Sequence, residues 1–502
     1  MRPCRLRQTT WCLPPMSEDP RIEDAVTAVL AVQPCSVTLP AGAGKTELIA
    51  ATVAEAAQRG GTSLVLTHTH AGVDALRRRM RKFGVMKDQV VVRTIDSWSY
   101  NLIAHFPDLA GLAVSAAPDW SRSTEYHLAA ARAAGTGAVA KMLRLSYTNL
   151  FVDEYQDCVA EQHGLVLALS ASVPTTVLGD PLQSLLTFGK TPPVDWDVDV
   201  LPNFPAVELE HRPRRWEPDH ADLGQWLVDI RADLLGGRPV RLDGAPVRWV
   251  RRFDDRTFVD ECLGALGQEG TIAVLGRFRH DCVTAASKLK GRYSVMEALD
   301  EKVTVAFSAK VDAGGGPTVA HAMVEFAMKC SVGIPNHITS EKRGRLLEGT
   351  SFVTRKDGLK PTYEAIVGVR DDPKPAAVRT AFDLLGKLPR VTIHCREAWN
   401  EVSRSLAAAV TNECTVAEAL QLARNHTRAA GRRAAARVVS RPLLVKGLEY
   451  DHVIILDPTA YGAQELYVAL TRGSKSVTVI SESSTLPAAE ITRYKVKKKR
   501  GD

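Results

Sequence analysis

An α/β fold on two parallel sheets, with small and mainly helical inserted regions, is the architecture this sequence predicts, and three observations carry it. Apolar strand-like runs alternate with helix-like segments in both halves of the chain. The run SVTLPAGAGKTELIA, Ser36 to Ala50, reads as strand, glycine-rich turn and helix. The run LFVDEYQDCVA, Leu150 to Ala160, drives three apolar residues straight into a cluster of carboxylates.

Composition sets the outer bounds. The 502 residues are 45% hydrophobic and 24% charged, enough for several buried cores, so roughly two to four domains are expected. No uninterrupted apolar run reaches the roughly 18 residues that span a bilayer, and MRPCRLRQTTWCLPP lacks the apolar centre of a signal peptide. A cytoplasmic protein with no membrane partner is expected. The nine cysteines, scattered from Cys4 to Cys414, include no CxxC pair, so neither a disulfide framework nor a zinc or iron–sulfur site is expected. A net charge of +7 is mild, but basic residues gather in RRRMRK (Arg77 to Lys82), HRPRR (His211 to Arg215) and KVKKKR (Lys495 to Arg500). Each run also reads as a solvated face or tail; together they permit a polyanion partner. Residues 1–16 lack periodicity and are expected to be a disordered extension, with Met16 as an alternative start.

In Ser36 to Ala50, the strand ends at Leu39. Pro40, Ala41, Gly42, Ala43 and Gly44 then form a turn whose backbone N–H groups curl inward, and the helix opens near Lys45. Amides gathered at a helix N-terminus favour an anion, and the expected ligand is the phosphate chain of ATP. Lys45 would reach the β and γ phosphates, and the Thr46 hydroxyl would ligate Mg2+. Leu39 stands where the usual GxxxxGK[ST] spacing begins with glycine. An Ala/Gly-rich chain can also produce AGAGKT as an ordinary turn.

Beside such a loop, the acidic stretch gains a role. Asp153 would hold the magnesium through water while Glu154 polarises the water that attacks the γ phosphate. The metal offsets their charge; without a phosphate loop the same cluster reads as a solvated turn. Gln156 and Asp157 lie where they would link this site to neighbouring loops.

The run DEYQD resembles the Walker B motif of the superfamily 1 helicases of the UvrD/Rep type, and further segments fall in that family's order over most of the chain. SLVLT followed by HTHAGVDALRRRM resembles the segment that touches single-stranded DNA, with His68 and His70 in place of the aromatic and amide residues often found there. VVVRTIDSWSY resembles the next DNA-facing segment, and Trp98 and Tyr100 read either as stacking groups or as core. In TTVLGDPLQSLLTF, the resemblance implies that Gln183 senses the γ phosphate and Phe188 stacks on a base, with Leu186 replacing a tyrosine. In VELEHRPRR it places Arg212 as an arginine finger and His211 where a ring stacks on adenine; Arg214 and Arg215 read equally as surface charge. KGLEY and YVALTR imply a ribose contact for Glu449, a DNA contact for Lys446 and a second γ-phosphate arginine at Arg472. Leu443 replaces a histidine, and RIEDAVTAVL offers no adenine-reading glutamine.

The alternation of elements, with this resemblance, implies two RecA-like domains of the P-loop NTPase class with ATP between them, closing on ATP and opening after hydrolysis. The first is expected over 17–202, with a helical insert at about 101–141. The second takes 203–301 plus 434–485, the stretch 302–433 forms an inserted accessory region, and 486–502 forms a basic tail. The function implied is an ATP-dependent helicase or translocase on single-stranded or partly duplex DNA, moving 3′ to 5′, in repair, recombination or phage defence. The alternative is a DNA-sensing ATPase switch that regulates a partner nuclease and unwinds little. An RNA substrate is a third reading.

Overall fold

The computed structural model describes residues 20–115, 118–185, 192–252, 254–296, 301–351, 354, 356–430 and 435–487. The expected N-terminal extension and nearly all of the basic tail lie outside these residues. The chain divides into two compact units, one running through Pro213 and the other beginning at Arg214.

The first unit holds a five-stranded sheet in the order β1-β5-β4-β2-β3, with every pairing parallel. Its strands are β1 (Cys35–Thr38), β2 (Ser63–Thr67), β3 (Val90–Thr94), β4 (Asn149–Val152) and β5 (Thr175–Gly179). Strand periodicity sorts side chains onto two faces. Leu64, Leu66, Leu150 and Val152 enter one core, while Val65 and Phe151 enter the other. Helices α1 (Pro20–Ala31), α2 (Lys45–Gln58) and α3 (His70–Lys82) cover the second face through Val26, Ile49, Val53 and Leu76. Helices α4 (Ile95–His105), α5 (Ser123–Ala134), α6 (Gly137–Ser146) and α7 (Ala160–Ser170) cover the first. Burial on both faces explains why these strands read as continuous apolar runs. Helices α5 and α6, with the C-terminal part of α4, fall in the stretch expected to be a helical insert.

Past β5 the chain returns to the sheet edge. Ser36 N–H donates to Pro205 O at 2.9 Å, and Val207 N–H donates to Ser36 O at 2.8 Å. That pairing keeps Pro205 to Val207 in the first unit, which runs through Pro213.

The second unit holds a six-stranded parallel sheet. Its strands are β6 (Arg248–Arg251), β7 (Ile272–Leu275), β8 (Ser294–Val295), β9 (Arg437–Ser440), β10 (Tyr450–Leu456) and β11 (Gly473–Ser481), in the order β6-β11-β10-β7-β9-β8. Between β8 and β9 the described residues form seven helices of eight or more residues: α8 (Glu301–Ala313), α9 (Gly316–Cys330), α10 (Ser340–Leu347), α11 (Lys360–Asp371), α12 (Pro375–Gly386), α13 (Arg396–Asn412) and α14 (Val416–Ala430). They do not form a separate core. One cluster runs from Val274, Val439 and Ile454 on the strands into Phe307, Phe326, Phe382 and Trp399 on these helices. Phe382 and Trp399 stack at 4.0 Å between centroids, and Phe307 and Phe326 at 4.9 Å. Among the described residues, no helix is long and apolar enough to cross a membrane.

Candidate nucleotide site

Strands β1, β4 and β5 are neighbours in the first sheet, so their C-terminal ends deliver three loops to one place. An open parallel sheet binds ligands at that end. From β1 comes Pro40 to Gly44, with Gly42 at φ 72° and Gly44 at φ 90°. Those left-handed angles strain any side chain with a Cβ, which is why glycine serves at both positions. Ala43 N–H closes the turn on Pro40 O at 3.2 Å, and α2 begins at Lys45. Leu39 is buried and donates its N–H to Gly179 O at 3.2 Å, so the residue at the expected glycine position extends the strand into the core.

From β4 come Asp153 and Glu154. Lys45 Nζ lies 3.0 Å from Glu154 Oε1 and 3.6 Å from Asp153 Oδ1. Burial alone would lower the lysine pKa, but the Glu154 and Asp153 carboxylates outweigh it and hold the ammonium above its ordinary range. Burial pushes the Asp153 carboxyl up to about 6, with Lys45 opposing the shift. Among the described residues, Asp153 Oδ1 accepts no hydrogen bond. A buried carboxylate oxygen with spare capacity, a threonine at the first turn of α2 and a ring of turn amides together suit a phosphate chain and Mg2+.

Glu154 has a feature that its position in the motif did not foretell. Its backbone is left-handed at φ 57°, ψ 38°, a conformation uncommon for a residue with a side chain. The bend turns the chain from β4 into the short 3-10 turn Tyr155–Asp157, where Tyr155 is buried and its hydroxyl meets His163 Nδ1 at 2.7 Å. Gln156 Nε2 donates to Glu154 Oε2, and Gln156 Oε1 accepts from Asp180 N–H at 3.0 Å.

From β5 come Gly179 and Asp180. A Cβ on Gly179 would meet Gln156 Oε1 at 2.5 Å and the Trp196 ring at 2.8 Å, so the close approach requires glycine. Asp180 is fully buried, and its carboxylate accepts from Leu182 N–H at 3.1 Å and from Gln183 Nε2 at 3.0 Å. The path Glu154–Gln156–Asp180–Gln183 is continuous, and it links the acidic pair to the residue expected to sense the γ phosphate.

The other expected site residues are less uniform. His68 lies beside this site, with Nε2 3.5 Å from Cys158 Sγ; His70 is exposed at the first turn of α3. Of the two readings of Trp98 the structure favours core over stacking: it is 6% exposed within the helical core, so its ring has no free face for a base. Phe188 lies outside the described residues. His211 and Arg212 are exposed near the end of the first unit.

In the second unit, Glu449 is exposed and pairs with Arg215 at 2.6 Å. Arg215 also donates to Thr471 O at 2.7 Å, and its guanidinium lies over the Trp216 ring. Its side chain is only 14% exposed, which removes it from the class of surface charge. Its neighbour Trp216 is the available signal, since a tryptophan beside arginine favours a packed guanidinium. Arg472 is 1% exposed and donates to Val468 O at 3.0 Å, Leu448 O at 3.1 Å and Thr471 Oγ1 at 3.0 Å. Lys446 is half-buried beside the left-handed turn at Gly447.

A family model described as an AAA domain matches residues 22–189. The match covers all five strands of the first sheet, the glycine turn, the acidic pair and Gln183. No curated protein matches the chain. A domain of this kind occurs in UvrD/Rep-like helicases and related P-loop NTPases, and its match here supports an enzyme that binds and hydrolyses a nucleoside triphosphate.

Proposed function

We propose that the chain is an ATP-driven motor on single-stranded DNA, a helicase or translocase that moves 3′ to 5′. The observation that carries the reading is the placement of Lys45 between Asp153 and Glu154 beneath a left-handed glycine turn. In this reading the Gly42 to Thr46 amides and Lys45 bind the phosphates of ATP, while Thr46 and Asp153 hold Mg2+. The metal, when bound, neutralises charge on the phosphates. Glu154, oriented by Gln156, accepts the proton of the attacking water. Gln183, held by Asp180, reports the state of the γ phosphate, and Arg212 supplies a guanidinium to the transferring group. The order of DNA-facing segments along the chain supports a nucleic-acid track, with His68, His70 and Lys446 as contacts.

The test is steady-state ATP hydrolysis with and without single-stranded DNA, with Glu154→Gln as the control, followed by strand displacement from substrates of both polarities. Stimulated hydrolysis that vanishes in the variant, with displacement from a 3′ tail, is expected. Unstimulated hydrolysis sinks the motor reading. A second reading, a DNA-sensing ATPase that switches a partner nuclease, draws on one observation: Trp98, a candidate stacking residue, takes its alternative place in the core. Robust displacement by the isolated chain sinks that alternative.

A further inference from the structure

The run RRRMRK has no part in the nucleotide site, yet the fold gives it a definite setting. Strand β3 is the edge of the first sheet and carries five residues. A cleft of about 620 Å³ lies along it, bounded by α3 and the turn that leads into the strand. Met80, Val85 and Val92 supply a buried apolar floor. Arg77, Arg78, Arg81, Lys87 and Arg93 stand exposed around it, and Asp74 is the one acidic residue in the lining. Met86, 63% exposed, adds an apolar contact at the rim.

The strand edge itself is addressable. Ser63 N–H donates to Gln89 O at 3.0 Å, so in this parallel pair Gln89, Val91 and Arg93 turn their backbone groups toward β2. Val90 and Val92 turn theirs outward. Arg77 Nη2 donates to Val92 O at 2.8 Å, so this carbonyl faces the cleft, and an added strand would take it over from Arg77 while the Val90 groups and the Val92 amide are met directly. An edge carrying outward amides and carbonyls is a template for another strand. Arginines and lysine around it repel a basic segment and attract an acidic one.

We propose that this edge docks an extended acidic peptide segment of a partner protein, which adds to β3 as a further strand with its carboxylates against Arg78, Arg81 and Lys87. Backbone pairing supplies affinity, and the charged rim supplies selectivity. The same cations would attract a nucleic acid. The lining residues include no phenylalanine, tyrosine or tryptophan on which bases would stack, and phosphates have no use for an apolar floor and a strand edge. Peptide chemistry fits all three parts of the cleft.

The test uses the full chain and three fluorescein-labelled ten-residue probes read by anisotropy: alternating Glu-Val, the same peptide N-methylated at alternate residues, and alternating Lys-Val. A ten-nucleotide oligo-dT serves as the nucleic-acid probe. The Glu-Val peptide is expected to bind at least tenfold more tightly than either other peptide. The triple variant Arg78→Glu, Arg81→Glu, Lys87→Glu, made on exposed side chains, should weaken its binding at least tenfold while basal ATP hydrolysis, measured without peptide and without nucleic acid, is unchanged. Equal binding of the N-methylated peptide overturns strand addition. Failure of the Glu-Val peptide to bind, or oligo-dT binding that the triple variant abolishes while peptide binding persists, overturns the proposal.

Discussion

Glu154 combines the expected base of the reaction with a left-handed backbone, and the two properties separate experimentally. Glu154→Ala and Glu154→Gly both remove the carboxylate, its 3.0 Å pairing with Lys45 and its link to Gln156. They differ only in what the φ 57° backbone demands. A side chain in that region costs about 1–2 kcal/mol, while glycine gives up about 0.4–1 kcal/mol more chain entropy on folding. The Gly variant should therefore be the more stable of the two by about 1 kcal/mol, or roughly 2–4 °C in a unit of this size. Thermal unfolding followed by tryptophan fluorescence and by calorimetry reads the difference. Two units can unfold separately, so the comparison is made on the transition that nucleotide shifts. Turnover in both variants should fall by about 10²–10⁴, the contribution of a positioned base. An Ala variant as stable as the Gly variant would show that the turn holds no strain. Parental hydrolysis in Glu154→Gln would remove Glu154 from the mechanism.

Four further outcomes follow from the same geometry. Lys45→Met should abolish nucleotide binding measured with a fluorescent ATP analogue; retained affinity would refute the phosphate-loop assignment. Asp153→Asn tests the buried carboxyl by pH. Its folded pKa, about 6, lies above the ordinary 3.8, so the folded state holds the proton more tightly and the parent loses stability as pH rises through that window. Relative to the parent, the apo variant should gain stability steadily as pH rises from 4 to 7, and a flat difference in urea melts would show that Asp153 is not raised. Arg472→Ala removes a guanidinium from buried carbonyls and should destabilise the second unit by roughly 2–4 kcal/mol, whereas exposed Arg212→Ala should leave melting within about 0.5 kcal/mol and slow hydrolysis at least tenfold; the reverse pattern would exchange their roles. Gly179→Ala drives a methyl into Gln156 and Trp196, and should slow turnover more than it weakens ATP binding, as kcat and analogue affinity would reveal.

The glycine turn and the acidic stretch were legible because local rules govern both. A strand that must meet phosphate needs small residues and a helix start in immediate succession, and the observed β1, turn and α2 follow the reading of Ser36 to Ala50 within a residue. Both parallel sheets left the same trace, since strands covered on two faces become apolar runs without alternation. What escaped depends on contacts distant in sequence. Trp98 carries no local sign of burial; it is the helices after it, with Tyr126, Ala130 and Leu143, that complete its core. Arg215 reads as charge until Glu449 and Thr471, more than two hundred residues away, come to its guanidinium. The end of the first unit likewise depends on Ser36 pairing with Pro205 and Val207, a register no window of sequence contains.

That contrast bears on how the site works. The residues expected to meet phosphate and metal sit at strand ends whose places the sheet dictates, and there Lys45, Asp153 and Glu154 come within ion-pair distance. Lys45 can stand in for part of the metal's charge only because Asp153 is desolvated and Glu154 is bent toward it. A phosphate chain held by the glycine turn would compete for the same ammonium, which would leave both carboxylates available to hold a magnesium ion. Nucleotide and metal should therefore bind with positive coupling. Because Gln156 touches Glu154 at one end and the Asp180 amide at the other, an exchange of partners at Glu154 would reach the loop that holds Gln183 through this one side chain.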